Sequence, residues 1–187
     1  PAAELRAEVD RALADYGFEP RWSDALTRAV AAVLATPLQA GADSFPLAEI
    51  ARERRLSELE FLFSLRRGGV DSGRLAAPFA RHAPALRPEY VERLRHLGFA
   101  PVSGFLKGFV DLVFEHRGRW YVLDWKSNHL GAERRFYEPV RLRAAMEQHH
   151  YYLQYHLYVV ALHRYLGLRL ADYDYERDFG GVFYLFV

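Results

Sequence analysis

Apolar and polar residues alternate with two different periods along this chain, and the change of period separates predicted helices from predicted strands. An apolar residue at every third or fourth position predicts a helix over 2–16. A second stripe of this kind predicts a helix over 21–35, which Pro37 terminates. The polar segment 39–44 is predicted to be a loop.

A period of two begins at residue 57. The run SELEFLFSL predicts a strand over 57–65, with large apolar residues on one face and Glu60 on the other. Glu60 has two interpretations, a solvated or salt-bridged strand residue and an acidic residue that lines a site. The stretch 66–72 predicts a polar turn, and short helices are predicted over 73–81 and 89–96.

The strongest local pattern is a β-hairpin. Its arms, 105–115 and 119–126, both alternate and are rich in aromatic and β-branched residues. Between them Arg117 and Gly118 form a two-residue loop, with glycine where a tight hairpin turn requires a positive φ. A loop of this length fixes which residues of the two arms face each other.

With that turn, Asp111 lies opposite Asp124, and Lys126 shares a sheet face with Asp124. Opposed carboxylates repel each other, so a cation between them is expected. Two carboxylates with open coordination positions suit Mg²⁺, and a nearby lysine orients the attacking water or helps to deprotonate it. The group predicts metal-assisted phosphodiester hydrolysis, and the alternative is a pair of surface salt bridges.

A long helical pattern follows the hairpin. It extends over 138–166 and is predicted to be interrupted near Gln148. In its second part Tyr151, Gln154 and Tyr158 are spaced three and four residues apart, which places one amide and two phenols on one stripe.

The chain ends with a predicted strand. Gly167 is predicted to end the long helix, and the apolar run 181–187 has the composition of a buried strand. Helices followed by strands, then a helix and a last strand, predict an α/β fold with a sheet flanked by helices.

Composition narrows the class of protein. The 187 residues, 51% hydrophobic and 26% charged, suit one globular domain with its own core. The net charge of +1 neither requires nor excludes a nucleic-acid partner. The absence of cysteine excludes disulfides and thiolate metal sites and agrees with a reducing compartment. The longest apolar runs are too short to span a bilayer. The sequence therefore predicts a soluble cytoplasmic protein without a membrane partner.

Lysine is rare in this chain. Of its 25 basic residues only Lys107 and Lys126 are lysines, and both belong to the predicted hairpin. A lysine beside two aspartates indicates a site that favours a compact ammonium group over a planar guanidinium.

The hairpin resembles a known active site. The sequence GFLKGFVDLVFEHRGRWYVLDWKSNHLG is similar to the hairpin of the PD-(D/E)xK nuclease superfamily, with Asp111 as the first acid and Asp124-Trp125-Lys126 as the D-x-K element. Val110 stands where the motif often has proline. The segments LSELEFLF, HHYYLQYHLYVVALHRYL and ADYDYERDFGGVFYLF resemble the RecB-type nuclease domains of exodeoxyribonuclease V within that superfamily.

The resemblance implies roles for particular residues. Asp111, Asp124 and the backbone carbonyl of Trp125 would bind Mg²⁺, and Lys126 would act on the water and the scissile phosphate. Glu60 matches an acidic position on the first strand of the family, which favours a role in the site.

Further residues of the long helix match the family as well. Gln154 and Tyr158 match its Q-x-x-x-Y element. Together with Tyr151 they would bind the DNA backbone or hold the acidic residues in place.

The resemblance also implies an architecture. The expected fold is a restriction-endonuclease-like α/β core with a central mixed sheet, divided into N-terminal helices over 1–56 and a nuclease core over 57–187. RecB-type domains have a further metal ligand, a histidine upstream of the matched segment, and none of the eight histidines here stands in a matching motif. The chain is therefore expected to be a fragment of a longer helicase–nuclease polypeptide.

Several partners and functions follow from this family. The expected activity is Mg²⁺-dependent DNA cleavage during double-strand-break repair and recombination, with RecC- and RecD-like subunits and a RecA-type recombinase as partners. The alternative is a catalytically incomplete, nuclease-like scaffold that docks partner proteins. A sequence-specific DNA-binding module is less favoured, because no helix concentrates arginine beside asparagine or glutamine.

Overall fold

The computed structural model describes residues 2–83, 85–98 and 102–187, with side chains for all of these except 66–69, 102 and 103. The α-helices of the described residues are α1 (Ala2–Asp15), α2 (Ser23–Ala35), α3 (Ser72–His82), α4 (Pro88–Arg95), α5 (Pro139–Gln148), α6 (Tyr151–Arg169) and α7 (Tyr175–Asp178). The strands are β1 (Pro37–Ala40), β2 (Asp43–Pro46), β3 (Arg55–Val70), β4 (Val102–His116), β5 (Arg119–Lys126) and β6 (Phe179–Phe186).

The chain divides into two compact units. The first unit comprises Pro1–Leu56, Leu112–Asn128 and Leu170–Val187. The second comprises Ser57–Asp111 and His129–Arg169. The expected division into helices over 1–56 and a nuclease core over 57–187 stays a prediction.

Each unit has its own apolar core. In the first unit the buried side chains come from the β1–β2 region and from the β4–β5 hairpin: Leu38, Phe45, Leu47, Ile50, Phe114, Tyr121 and Leu123. In the second unit they come from α3 and α4: Ala76, Phe79, Tyr90, Val91 and Leu94. Burying a large apolar side chain contributes about 1.5–3 kcal/mol, so these clusters account for much of the stability of each unit.

The predicted β4–β5 hairpin is present with the predicted turn. Arg117 and Gly118 have φ values of 50° and 78°, as a type I′ turn requires of both central residues. The Glu115 carboxylate accepts a hydrogen bond of 2.6 Å from the Gly118 amide, which closes the turn. The register runs from the His116–Arg119 pair to Leu112 opposite Leu123, as the sequence predicted.

The four-stranded sheet has the order β3-β4-β5-β6. Strand β5 pairs antiparallel with β4 and parallel with β6, so the sheet is mixed. The strand predicted over 181–187 is present as β6, which begins two residues earlier, at Phe179, and ends at Phe186. The predicted α/β class with a mixed sheet is confirmed.

Two predictions about connecting segments were wrong. The segment 39–44 is not a loop: β1 and β2 pair across a short turn, and Leu38 opposite Phe45 buries both side chains. Its arms are only four residues long, too short for alternation to be distinctive. The segment 66–72 is not a turn either, because β3 continues to Val70 and α3 begins at Ser72.

The interruption of the long helical segment was predicted correctly. Helix α5 ends at Gln148 and α6 begins at Tyr151, with His150 at a positive φ of 55° between them. Gly167 does not end α6, which continues to Arg169. A helical glycine costs about 1 kcal/mol relative to alanine, and the burial of Leu166 beside it compensates for that cost.

Within the described residues, no helix has both the length and the apolar composition needed to cross a bilayer.

Candidate active site

The D-x-K element lies at the end of the inner strand of the first unit. Strand β5 is paired on both sides, with Asp124 beside Tyr184 of β6 and Lys126 beside Phe186. The Lys126 carbonyl accepts a hydrogen bond of 3.0 Å from the amide of Val187. Backbone pairing therefore holds the two charged side chains at fixed positions.

Asp124 and Lys126 are both buried. Their relative exposures are 2% and 7%, unusually low for charged residues. The period of two places them on one face of β5, where the Lys126 ammonium forms an ion pair with the Asp124 carboxylate. This burial contradicts the interpretation of these two residues as members of a surface salt bridge.

A second contact restrains Lys126. Its Nζ atom lies 4.9 Å from the centroid of the Tyr184 ring, within the range of a cation–π interaction. Tyr184 was not predicted as part of the site, because the run GVFYLFV indicates only a buried strand. Only the parallel pairing of β6 with β5, which joins distant segments, brings this ring to the lysine.

Glu60 and Asp111 belong to the second unit. The Glu60 carboxylate forms an ion pair of 3.1 Å with Lys107 on β4, and both side chains are about half exposed. Asp111 is half-buried and lies four residues beyond Lys107 on the same strand, so both point to one face of β4. Asp111 and Asp124 would form the next pair beyond Leu112–Leu123, and their opposition across the hairpin stays a prediction.

The helical stripe is confirmed for two of its three members. The Gln154 side-chain amide donates a hydrogen bond of 2.8 Å to the Tyr158 hydroxyl. The Tyr158 ring is buried and meets the ring of Phe61 edge to face at 5.9 Å. Tyr151, at the start of α6, stacks on His149 with 5.3 Å between the ring centroids.

Gly108 makes room for the ring of Phe61. A Cβ atom at this position would lie 2.3 Å from the Cζ atom of Phe61, far inside van der Waals contact. The glycine therefore lets β4 approach the ring that supports Tyr158. Neither Gly108 nor Phe61 was predicted to matter for the site, although a glycine inside a strand is a known signal of close approach.

His156 of α6 contributes no charge to this region at neutral pH. Burial lowers the pKa of His156, whose Nδ1 atom lies 2.6 Å from the Tyr152 carbonyl. Its ring packs against Phe79 at 4.7 Å. The neutral imidazole is thus part of the packing of α6.

The donor atoms of the site suit a hard divalent cation. Carboxylates and a backbone carbonyl are the oxygen ligands that Mg²⁺ prefers. In the first unit the Asp124 carboxylate and the Trp125 carbonyl are oxygens of this kind, and the burial of the Asp124 carboxylate favours a positive charge beside it. In the part of the chain that the structure describes, no three histidine, cysteine or acidic side chains converge on a metal-sized site.

Comparison with known proteins supplies a family. The sequence profile described as the PD-(D/E)XK nuclease superfamily matches residues 1–187.

Curated relatives agree with this match. The chain is 42% identical to the RecBCD enzyme subunit RecB of Escherichia coli (strain K12), over 91% of the chain and 14% of that protein. It is 33% identical to the subunit of the same name from Haemophilus influenzae, over 96% of the chain and 14% of the relative. Identity to the Mycobacterium tuberculosis subunit is 38%, over 100% of the chain and 18% of the relative. The chain thus spans less than a fifth of the length of these relatives.

Proposed function

The chain belongs to the PD-(D/E)XK nuclease superfamily, and from this premise we propose that it is the Mg²⁺-dependent DNA nuclease domain of a RecBCD-type helicase–nuclease. The reaction is hydrolysis of a phosphodiester bond, of the exodeoxyribonuclease V type, in double-strand-break repair and recombination. The similarity to RecB subunits supports this assignment over other nucleases of the superfamily.

One observation carries the proposal. Asp124 and Lys126 are buried side by side on an inner strand, where two charged groups are expensive to keep. A well-packed apolar pair is often as stable as, or more stable than, a buried ion pair. Retaining these charges is therefore best explained by chemistry that requires a carboxylate and an ammonium at one place.

The proposed roles follow from the donor atoms. Asp111, Asp124 and the Trp125 carbonyl hold the cation, which when bound supplies positive charge to the scissile phosphate and activates water. The Lys126 ammonium, a donor with no acceptor capacity, binds a phosphate oxygen and orients the attacking water. The β6 tyrosine ring and the Asp124 carboxylate hold the ammonium in place before substrate binds.

Other residues support this group. Glu60 is proposed as a further acidic residue of the site. The hydrogen-bonded pair Gln154–Tyr158 and the neighbouring Tyr151 are proposed to bind the DNA backbone or to support the acids. Phenol and amide groups suit that role, because phosphate contacts use neutral donors as well as charged ones.

The test uses the full-length polypeptide in its assembly. Asp124→Asn and Lys126→Met are expected to reduce cleavage of linear DNA at least ~100-fold, as removal of a transition-state donor typically does. ATP-dependent unwinding by the same preparations is expected to persist, which shows that the variants fold and assemble. Lys126→Arg is expected not to restore cleavage, since its planar group is bulkier and differently hydrated.

Asp43→Asn is the matched control. Asp43 is an exposed acidic residue of the same unit, ion-paired with Arg117 on the surface. This variant is expected to cleave at the wild-type rate. Wild-type cleavage by Asp124→Asn or Lys126→Met would contradict the proposed function.

The assembly is part of the proposal. The relatives are named as subunits of the RecBCD enzyme, and we extend RecC- and RecD-like partners, DNA and a cytoplasmic location to the polypeptide that contains this chain. A RecA-type recombinase is a further proposed partner. A scaffold without catalysis is the competing function, and it predicts that both site variants retain their partners and that wild-type protein shows no cleavage.

A further inference from the structure

The first half of β4 presents an unusual face to solvent. Phe105, Lys107, Phe109 and Asp111 are spaced two residues apart, so their side chains share one face of the strand. Phe105 is 69% exposed and Phe109 is 48% exposed. On the opposite face Val110 is fully enclosed. The orientation of the two rings is therefore set by the packing beneath the strand.

These rings contribute little to the fold, because about half or more of each is in contact with water. An exposed apolar patch is a feature that usually marks an interaction surface. Leu62, on the outward face of β3, is also 57% exposed. The described residues therefore leave Phe105, Phe109 and Leu62 largely exposed on this surface.

Lys107 stands between the two rings. Its Nζ atom lies 3.1 Å from the Glu60 carboxylate and 5.1 Å from the centroid of the Phe109 ring. An ion pair as exposed as this one contributes little to stability. These contacts therefore place the ammonium group at the surface beside the Phe109 ring without adding much to the stability of the fold.

Aromatic rings that alternate with a cation are typical of surfaces that bind single-stranded nucleic acid. Bases of any sequence stack on the rings, and the cation contacts the backbone. At about 3.4 Å per residue, Phe109 is roughly 7 Å and Phe105 roughly 20 Å from Asp111 along the strand. A strand bound on this face would therefore lead to a proposed ligand of the catalytic cation.

We propose that Phe105, Lys107 and Phe109 form a track that binds single-stranded DNA and guides it to Asp111. Bases stack on the two rings, and the Lys107 ammonium leaves Glu60 to bind a backbone phosphate. The inference rests on the proposed nuclease function and adds three residues that bind the DNA substrate outside the group proposed to hold the cation. A protein partner on the same face is the competing occupant.

The test measures cleavage by the full-length assembly on short single-stranded oligodeoxynucleotides. The double variant Phe105→Leu/Phe109→Leu keeps apolar area but removes the stacking surfaces. Its KM is expected to rise at least about fivefold for each ring lost, with kcat within about twofold of wild type. Lys107→Gln is expected to make log(kcat/KM) fall less steeply with the logarithm of the salt concentration. The change in slope should correspond to the loss of about one phosphate contact. Val140→Ala, which removes apolar area at a 79% exposed position of α5 in the same unit, is the matched control with unchanged KM.

A second readout does not depend on cleavage. In an Asp124→Asn background, a single strand containing 4-thiothymidine is photo-crosslinked to the assembly and the adducts are mapped by mass spectrometry. Adducts are expected on Phe105 or Phe109 and are expected to disappear in the double leucine variant. If Asp124→Asn still cleaves DNA but these adducts form, the proposed catalytic residues are wrong and the track stands.

Two outcomes overturn the track. The first is that Asp124→Asn fails to cleave DNA and its crosslinked adducts lie outside this face, while the double leucine variant keeps the wild-type KM. The second is unchanged KM in the leucine variant combined with loss of a subunit in Phe105→Asp, which would identify the face as a protein-docking surface.

Discussion

Replacing Gly108 with alanine would place a methyl group against the ring of Phe61. The new Cβ atom would lie 2.3, 2.7 and 3.1 Å from three atoms of that ring, whereas ordinary contacts lie at 3.4–4 Å. The ring would have to retreat by about 1 Å. It is confined by Phe63, with 5.1 Å between the ring centroids, and by Tyr158 at 5.9 Å.

The size of the effect follows from two opposing contributions. Overpacking by one methyl group costs about 1–3 kcal/mol. Alanine also restricts the unfolded chain relative to glycine, which stabilises a protein by about 0.4–1 kcal/mol where the native backbone allows it. We therefore expect Gly108→Ala to lower the free energy of unfolding by about 1–2 kcal/mol, and to disturb Tyr158 through the displaced ring.

The assay must report on the second unit. All three tryptophans, Trp22, Trp120 and Trp125, lie in the first unit, so intrinsic fluorescence is unsuitable. Urea unfolding followed by far-ultraviolet circular dichroism, with hydrogen exchange of β3 and α6 peptides, measures the relevant segments. Gly98→Ala is the matched control. A Cβ there meets no atom within 4 Å, and the variant is expected to be neutral or slightly more stable.

A double-mutant cycle identifies the cause. Phe61→Leu in the Gly108→Ala background should recover about 1 kcal/mol relative to the sum of the single changes, because the shorter side chain leaves room for the methyl group. If Gly108→Ala is as stable as wild type, or if the two changes are additive, the ring does not depend on the glycine and the packing argument fails.

Three further predictions concern the support of the site and of the fold. Tyr158→Phe removes the acceptor of the Gln154 amide, and should lower stability by about 0.5–1.5 kcal/mol in urea unfolding and slow single-turnover cleavage; unchanged values for both would contradict this. Gly118→Ala forces a side chain to a φ of 78° and should cost about 1–2 kcal/mol in unfolding followed by tryptophan fluorescence, whereas a neutral result would contradict the turn. The hydrogen bond from Arg87 lowers the pKa of Glu147 from its ordinary value of 4.5, so its stabilising contribution is complete above about pH 4.5 and is lost as the pH falls through the lowered pKa. Thermal unfolding between about pH 3 and pH 6 should therefore decline less steeply in Arg87→Gln than in wild type, and parallel curves would refute the linkage.

The sequence was sufficient for the features that depend on neighbouring residues. A two-residue loop with Gly118 and alternation in both arms determine the register of the β4–β5 hairpin. The same alternation is enough to place Asp124 and Lys126 on one face of β5, where they form their ion pair. Local periodicity determines these features, because turn geometry and a period of two act within a few residues.

Weak or short local signals led to wrong predictions. The β1–β2 hairpin has arms of four residues, and its stability comes from burying Leu38 and Phe45 in the core of the first unit. Gly167 is a frequent helix terminator, yet α6 continues through it while Leu166 is buried. In both cases tertiary packing outweighed a local preference of about 1 kcal/mol or less.

The sequence by itself determined the family, the D-x-K element and the strand faces, whereas the tertiary structure decided how the charged side chains are held. Parallel pairing of β6 with β5 brings Tyr184 to Lys126, across a separation of 58 residues that leaves no local pattern. On the same inner strand Asp124 is only 2% exposed, whereas its neighbour Trp125 is 36% exposed, so the burial depends on what covers each face of the sheet. Burial depends on which segments pack on both sides of a strand, and no residue type encodes that by its spacing alone.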